Sequence, residues 1–139
     1  MDSSNNLIHS WVNYSKFYSR LYNALDTTLQ QQYQLNLSGF YLLYYLSNSP
    51  NKTNYLTELQ PKVGLSHSAL SRLITRLESY NNTPLLIKTV NDVDKRSSFI
   101  SLTQKGEGLL NQIVEELNNT LKNSLSEGDI EHILQIVNS

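Results

Sequence analysis

The stretch from residue 65 to residue 80 constrains the fold more than any other part of the sequence. Its apolar residues recur at helical spacing and share one face of a helix: Leu70, Leu73, Ile74 and Leu77. Ser66 is a suitable N-cap, and Leu65 before it can pack on Leu70. The opposite face holds small hydroxyl and cationic residues: Ser68, Ser71, Arg72, Thr75 and Ser79. The pattern therefore predicts an anchored helix, residues 66–80, with a polar and basic outer face.

Further helices are predicted on both sides of this stretch. An apolar stripe with steps of three and four residues predicts a long first helix over residues 7–29. Ser38 is a suitable N-cap for a second, buried helix through the apolar run 40–46. Residues 53–63 are predicted to form a third helix, which Pro61 should shorten or kink. Thr103 and Ser126 can cap two more helices near the end of the sequence.

A β-hairpin pattern follows the basic helix directly. Residues 85–90 and 97–102 have the pattern of short strands, and the polar turn 91–96 joins them. Two helices connected through Gly64, the second with a basic face, have helix-turn-helix organisation. In that geometry the second helix enters the major groove of DNA, where hydroxyl groups contact phosphates and arginine contacts guanine edges. The hairpin would then be a wing that reaches the neighbouring backbone or minor groove.

The charges of the chain are unevenly distributed. The net charge is −1, yet from Lys62 to Lys105 there are seven basic and three acidic residues, against four basic and nine acidic residues elsewhere. A near-neutral total therefore hides a basic middle with acidic flanks. This asymmetry is expected of a DNA-binding protein.

The most specific motif is Asp94-Lys95-Arg96, several residues before the run Leu102–Gly106 (LTQKG). With LSHSALSRLITRLE, and with long helices on both sides, it resembles the MarR family of bacterial winged-helix regulators. The family usually has Gly-Leu-Val/Ile after the recognition helix; here Asn81 and Asn82 follow it, and asparagine can supply the left-handed cap that glycine normally would.

The resemblance implies a mainly α fold with a small β-hairpin wing, in a single domain over residues 1–139. A winged helix-turn-helix DNA-binding lobe, residues 36–103, would be flanked by dimerisation helices in residues 1–35 and 104–139. It also implies a dimeric, sequence-specific transcription regulator that binds a pseudo-palindromic double-stranded DNA operator. The recognition helix 66–80 would lie in the major groove and the wing 86–102 in the minor groove.

Site residues follow from the pattern and from the resemblance together. By the resemblance Arg96 is the minor-groove residue and Asp94 the carboxylate that orients it. The candidate DNA-binding residues are Ser66, His67, Ser68, Ser71, Arg72, Thr75, Arg76, Lys88, Asp94, Lys95 and Arg96.

The terminal helices carry an apolar excess that indicates a homodimer. The spacing of the first stripe is close to a coiled-coil seam, although an ordinary core stripe explains it equally well. The candidate interface residues are Leu7, Trp11, Tyr14, Leu117, Leu121, Ile130, Ile133 and Val137.

Other classes of function find little support in the sequence. The three histidines, His9, His67 and His132, lack metal-ligand spacing, and Gly106-Glu107-Gly108 lacks the context of a dinucleotide fingerprint. We therefore expect no enzymatic activity, no metal and no cofactor. A winged-helix partner or antirepressor that binds protein and not DNA is the alternative.

The same sequence gives three further expectations. The longest apolar run has seven residues, far short of the ~18 of a membrane span, and the first residues lack the basic region of a secretion signal, so we expect a cytoplasmic, bacterial protein. The absence of cysteine excludes disulfides.

Aromatic residues of the first two helices lie near where some members of the family bind small phenolic effectors. Packing explains these residues more simply, so a small aromatic effector stays an unproven alternative and no ligand is named.

Overall fold

The computed structural model describes residues 6–94 and 97–138, and the predicted DNA contacts Lys95 and Arg96 lie outside this range. In chain order the elements are α1 (Leu7–Tyr33), α2 (Leu37–Ser47), β1 (Thr53–Tyr55), α3 (Leu56–Val63), α4 (His67–Glu78), β2 (Leu86–Thr89), β3 (Phe99–Leu102), α5 (Gln104–Ser124) and α6 (Glu127–Asn138). The mainly α fold with a small β wing, predicted from the sequence, is confirmed.

The chain divides into two compact units. One contains the residues up to Gln34 and those from Glu115 onwards, and the other contains Leu35–Val114. Helix α5 therefore begins in the second unit and ends in the first.

Helix α4 is anchored by its apolar face, as predicted. The side chains of Leu70, Leu73, Ile74 and Leu77 are each 4% exposed or less. Full burial of one such side chain stabilises a fold by about 1.5–3 kcal/mol, so this helix is held firmly in its unit. Its N-cap is Ser66, whose Oγ accepts from the Ala69 amide at 3.2 Å.

The residues after α4 turn the chain with left-handed conformations. Asn81 and Asn82 have φ values of 45° and 63°. Asparagine adopts this region more readily than most non-glycine residues, so the left-handed asparagines are present as predicted. They do not cap α4, however, because its C-cap is Ser79, with a φ of −127°.

The wing is a three-stranded antiparallel sheet with the order β1-β3-β2. The prediction of a third helix from residue 53 is wrong at its start, because Thr53–Tyr55 forms β1 and pairs Thr53 with Ser101. Thr53 and Tyr55 favour strands, and the open edge of β3 supplies the hydrogen bonds.

Helix α3 accommodates Pro61 because the helix is short. It ends two residues later, at Val63, and Gly64 terminates it with a φ of 76°. The carbonyl that loses its partner to proline belongs to Thr57, which is exposed and accessible to water.

The start of α5 is tied to the chain segment that follows α4. Thr103 caps the helix as predicted, since its Oγ1 accepts from the Gly106 amide at 3.0 Å and donates to the Pro84 carbonyl at 2.8 Å. A Cβ added at Gly106 would overlap the carbonyl oxygen of Leu85 and would lie 2.7 Å from Leu102 Cδ1. Only glycine permits this close approach.

Caps of the other helices confirm one prediction and correct another. Ser126 caps α6 reciprocally with Asp129: the Asp129 amide donates to Ser126 Oγ at 3.1 Å, and the Ser126 amide donates to Asp129 Oδ2 at 3.3 Å. The cap of α2 is Asn36, not Ser38, because Asn36 Oδ1 accepts from the Gly39 amide at 2.8 Å.

Candidate nucleic-acid interface

The exposed face of α4 carries most of the predicted DNA-binding residues. Ser66 and His67 at its start are exposed, and Ser71 is half-buried at the edge. The exposed residues along the face are Ser68, Arg72, Thr75, Arg76 and Ser79. One face of α4 is buried, and the opposite face exposes small and cationic side chains to solvent.

Both guanidinium groups of this face are uncompensated. Within residues 6–94 and 97–138, the side chain of neither Arg72 nor Arg76 has a hydrogen bond or ion pair. The acid of the helix, Glu78, is engaged elsewhere, because its Oε2 accepts from the backbone amide of Lys88 at 3.3 Å. The face therefore presents two positive charges in a region of the helix where no neighbouring carboxylate neutralises them.

The hydroxyl groups of α4 have different partners. Ser66 Oγ is used as the N-cap, and Thr75 Oγ1 donates to the Ser71 carbonyl at 3.0 Å. Ser79 Oγ donates to the Thr75 carbonyl at 3.4 Å. The Ser71 hydroxyl has no hydrogen bond to the described part of the chain. Ser66 Oγ accepts in its cap bond and lies 3.5 Å from Ser68 Oγ. Among Ser71, Thr75 and Ser79, the Ser71 hydroxyl is the one with no partner in the described residues.

Lys88 differs in position from the other predicted cations. It lies on strand β2, on the same side as the buried Leu86, and its side chain is half-buried. The sheet thus places Lys88 beside the end of α4, where its amide meets Glu78, and not at the tip of the wing.

The turn of the wing is built by side chains that the sequence reasoning missed. Asn91 Oδ1 accepts from the amides of Val93 at 3.0 Å and Asp94 at 3.2 Å. Ser97 Oγ donates to Asp94 Oδ2 at 3.3 Å, and the Asn91 amide donates to the buried Ser98 Oγ at 3.4 Å. Asparagine at the start of a polar turn is the signal that could have identified this arrangement.

Asp94 is therefore part of the framework of the turn. The predicted pairing of Asp94 with Arg96 stays a prediction, because Lys95 and Arg96 lie outside the described residues.

Tyr80 lies immediately after α4, and burial raises the pKa of its phenol above the ordinary value of 10.0. The phenol is neutral at any pH at which DNA binding is normally measured. Tyr80 therefore contributes a bulky neutral group, and no charge, after the end of the helix.

The predicted dimer residues lie in the first unit. Leu7, Trp11 and Val137 are 69%, 63% and 69% exposed, and Tyr14 is 52% exposed. The half-buried members of the set are Leu121, Ile130 and Ile133. Leu117 differs, because it is only 5% exposed in the single chain and so belongs to the core of its unit.

The described part of the chain contains neither a membrane-spanning helix nor a cluster of metal ligands. None of its helices is long and apolar enough to cross a membrane. The same residues contain no cluster of three histidine or acidic side chains able to hold a metal ion.

No protein-family model and no curated protein matches the sequence. Solved structures match it over nearly the whole chain. Sco3205, a MarR family transcriptional regulator from Streptomyces coelicolor solved in complex with DNA, is 22% identical, with 99% of this chain and 86% of that chain covered and a TM-score of 0.75.

Two further regulators have the same fold. The transcriptional regulator BldR from Sulfolobus solfataricus is 20% identical, covers 99% of this chain and 96% of its own, and has a TM-score of 0.79. MarR from Escherichia coli, in its apo form, is 18% identical, covers 96% and 93%, and has a TM-score of 0.69. The chain therefore has the winged-helix fold of MarR family regulators, as the resemblance implied.

Proposed function

We propose that the chain is a homodimeric transcription regulator that binds double-stranded DNA with sequence specificity. The observation that carries the proposal is the exposed face of α4, where the guanidinium groups of Arg72 and Arg76 have no partner among the described residues, on a helix whose other face is buried. A protein of the same fold has been solved in complex with DNA, which supports this use of the fold. The neighbours are transcriptional regulators, so an enzymatic activity is not part of the proposal.

Helix α4 would lie in the major groove. Arg72, near the middle of the exposed face, would make a bidentate contact with a guanine edge, and Arg76, one turn further along, would contact phosphate or base. The hydroxyl of Ser71 would donate to a phosphate oxygen. Because the helix is anchored by buried leucines, these groups would be presented with little loss of conformational freedom.

The wing would reach the minor groove beside each half-site. Asn91 and Ser97 hold Asp94 in place through its amide and its carboxylate. The carboxylate of Asp94 would restrict the rotamers of Arg96 and lower the entropy lost on docking.

A second copy of the chain would cover the apolar surface of the first unit. Exposed apolar residues on α1 and α6 form this surface together with a cavity of about 280 Å³ lined by Tyr14, Phe17, Ile133 and Val137 among others. A two-fold dimer would present two copies of α4 to a pseudo-palindromic operator whose half-sites lie about one DNA turn, ~34 Å, apart.

The test begins with selection of bound sequences from random duplex DNA, or with genomic footprinting of the tagged protein. Affinity for the selected operator is then measured by fluorescence anisotropy at increasing salt. We expect a two-fold-symmetric site and a steep loss of affinity with salt, because each neutralised phosphate releases counterions.

The test variant carries both Arg72→Ala and Arg76→Ala. The control variant is Lys122→Ala, which removes a positive charge from the first unit. We expect the double variant to lose the operator and Lys122→Ala to keep it. Failure to enrich any sequence, with binding that does not depend on salt, would contradict the proposal and favour the protein-binding alternative.

A further inference from the structure

Thr75 occupies the centre of the exposed face of α4. Its neighbours two positions away, Leu73 and Leu77, are 4% and 1% exposed. Residues two apart on an α-helix lie about 200° apart around the axis, so Thr75 points directly away from the core. Thr75 is itself exposed, three residues after Arg72 and one before Arg76.

The hydroxyl of Thr75 is turned back on its own helix. Oγ1 donates to the Ser71 carbonyl at 3.0 Å, within the range of a normal hydrogen bond. A threonine has a single hydroxyl hydrogen, and here that hydrogen is used within the helix. The side chain branches at Cβ, so with Oγ1 bonded to the backbone of an exposed residue, the methyl group is the branch that has no bond to the helix.

Ser71, one turn earlier, shows the contrast. Its hydroxyl has no partner within the described residues, so it can donate to an acceptor on DNA. The exposed face thus presents an apolar methyl at Thr75 and cationic donors at Arg72, with the Ser71 hydroxyl at its half-buried edge.

We infer that Thr75 is a specificity-determining residue that recognises thymine through contact between its methyl group and the 5-methyl group of the base. The inference deepens the proposed DNA-binding function and rests on it. In the major groove, thymine is the one unmodified base with a methyl group, and apolar side-chain groups distinguish it by contact. Thr75 would therefore recognise a 5-methylpyrimidine base at one position of each half-site.

The expected size of the effect follows from the surface that two methyl groups bury together. Removal of one buried methyl or methylene group corresponds to a loss of about fourfold in affinity. Because a dimer has two half-sites, replacement in both is expected to multiply the losses to roughly tenfold or more.

The experiment replaces each thymine of the selected operator by deoxyuridine, which lacks only the methyl group. Affinities of the full-length protein are measured by anisotropy for the wild type and two variants. Thr75→Ser keeps the hydroxyl and its bond to the backbone but lacks the methyl group. Thr75→Val keeps a methyl group in that place but lacks the hydroxyl.

We expect one symmetry-related pair of thymines at which deoxyuridine weakens wild-type binding about fourfold per half-site. Thr75→Ser should bind both operators alike at that position, whereas Thr75→Val should keep the preference for thymine. Ser71→Ala is the matched control on the same helix and should also keep it. Thermal melting of each variant checks that the fold is intact.

Two results would overturn the inference while leaving the proposed function in place. One is specific binding by the wild type that tolerates deoxyuridine at every position. The other is loss of the thymine preference in Thr75→Val with retention in Thr75→Ser, which would show that the hydroxyl is the reading group. A chain that selects no DNA sequence at all would overturn both proposals together.

Discussion

At the scale of single residues, the chemistry of α4 depends on which polar groups are already used. The sequence identified the hydroxyl-rich, cationic face correctly, since periodicity alone separates Leu70 and Leu77 from Arg72. It could not show that Thr75 donates to Ser71 or that Glu78 accepts from Lys88. Such bonds depend on rotamers and on residues brought together by folding, and neither is encoded in spacing along the chain.

Arg72 gives the clearest prediction at this scale. We expect Arg72→Ala to cost about 1–3 kcal/mol of binding free energy and to relax the base preference at one position per half-site, as for a side chain that contacts a base edge. Anisotropy against a panel of single-base operator variants measures both effects. Ser71→Ala should instead weaken binding to all sequences by a similar factor, because phosphate contacts carry no sequence information. Wild-type affinities for both variants, in a folded protein, would remove α4 from the interface.

At the scale of elements, the sequence predicts correctly those helices and caps that have a strong local pattern. It does not predict a short strand or choose between two equivalent cap residues. Helix α4 was found from its apolar period, and the caps Ser66, Thr103 and Ser126 from residue type. Strand β1 was missed because three residues are too few for an alternating pattern, and its partner Ser101 lies 48 positions away. The cap of α2 was misplaced because Asn36 and Ser38 are equally good caps and only the geometry decides between them.

Gly106, in the first turn of α5, lies against the carbonyl group of Leu85, and its substitution tests this close packing. Gly106→Ala should lower the free energy of unfolding by about 1–3 kcal/mol, because the added methyl group would overlap the Leu85 carbonyl, and backbone cannot move as a flexible side chain can. Gly108→Ala is the matched control in the same helix. Apart from its chain neighbours and the nearby backbone of its own helix, no heavy atom of the described residues lies within 4 Å of its added Cβ. The better helix propensity of alanine should therefore stabilise the protein by about 0.5–1 kcal/mol. Urea unfolding measures both, and equal effects of the two substitutions would contradict this account of Gly106.

At the scale of the whole molecule, the two compact units carry different kinds of surface. The unit from Leu35 to Val114 holds α4 and the wing and has most of the buried leucines. The other unit buries Leu29 and Leu117 but leaves large apolar side chains exposed on α1 and α6. Charge follows the same division, since the basic middle of the sequence lies within the unit Leu35–Val114 and most acidic residues of the flanks lie outside it.

The apolar surface of α1 and α6 predicts that the chain is a dimer at micromolar concentration. Exposed side chains of this size gain about 1.5–3 kcal/mol each when they are buried, and Trp11, stacked on Tyr14 with ring centroids 6.4 Å apart, offers the largest single contact. We expect sedimentation equilibrium to give twice the chain mass, and Trp11→Glu to shift the protein to monomers because a carboxylate buried without a partner is costly.

Tyr44→Glu, which alters a similarly exposed aromatic residue on α2, is the control and should leave the dimer intact. The Trp11→Glu monomer should still bind a single half-site weakly through α4, since each copy keeps its own recognition face, but should lose most of its affinity for the two-fold operator because the second contact is no longer intramolecular. A stable wild-type monomer that binds the full operator as tightly as a single half-site would show that recognition does not depend on two linked copies.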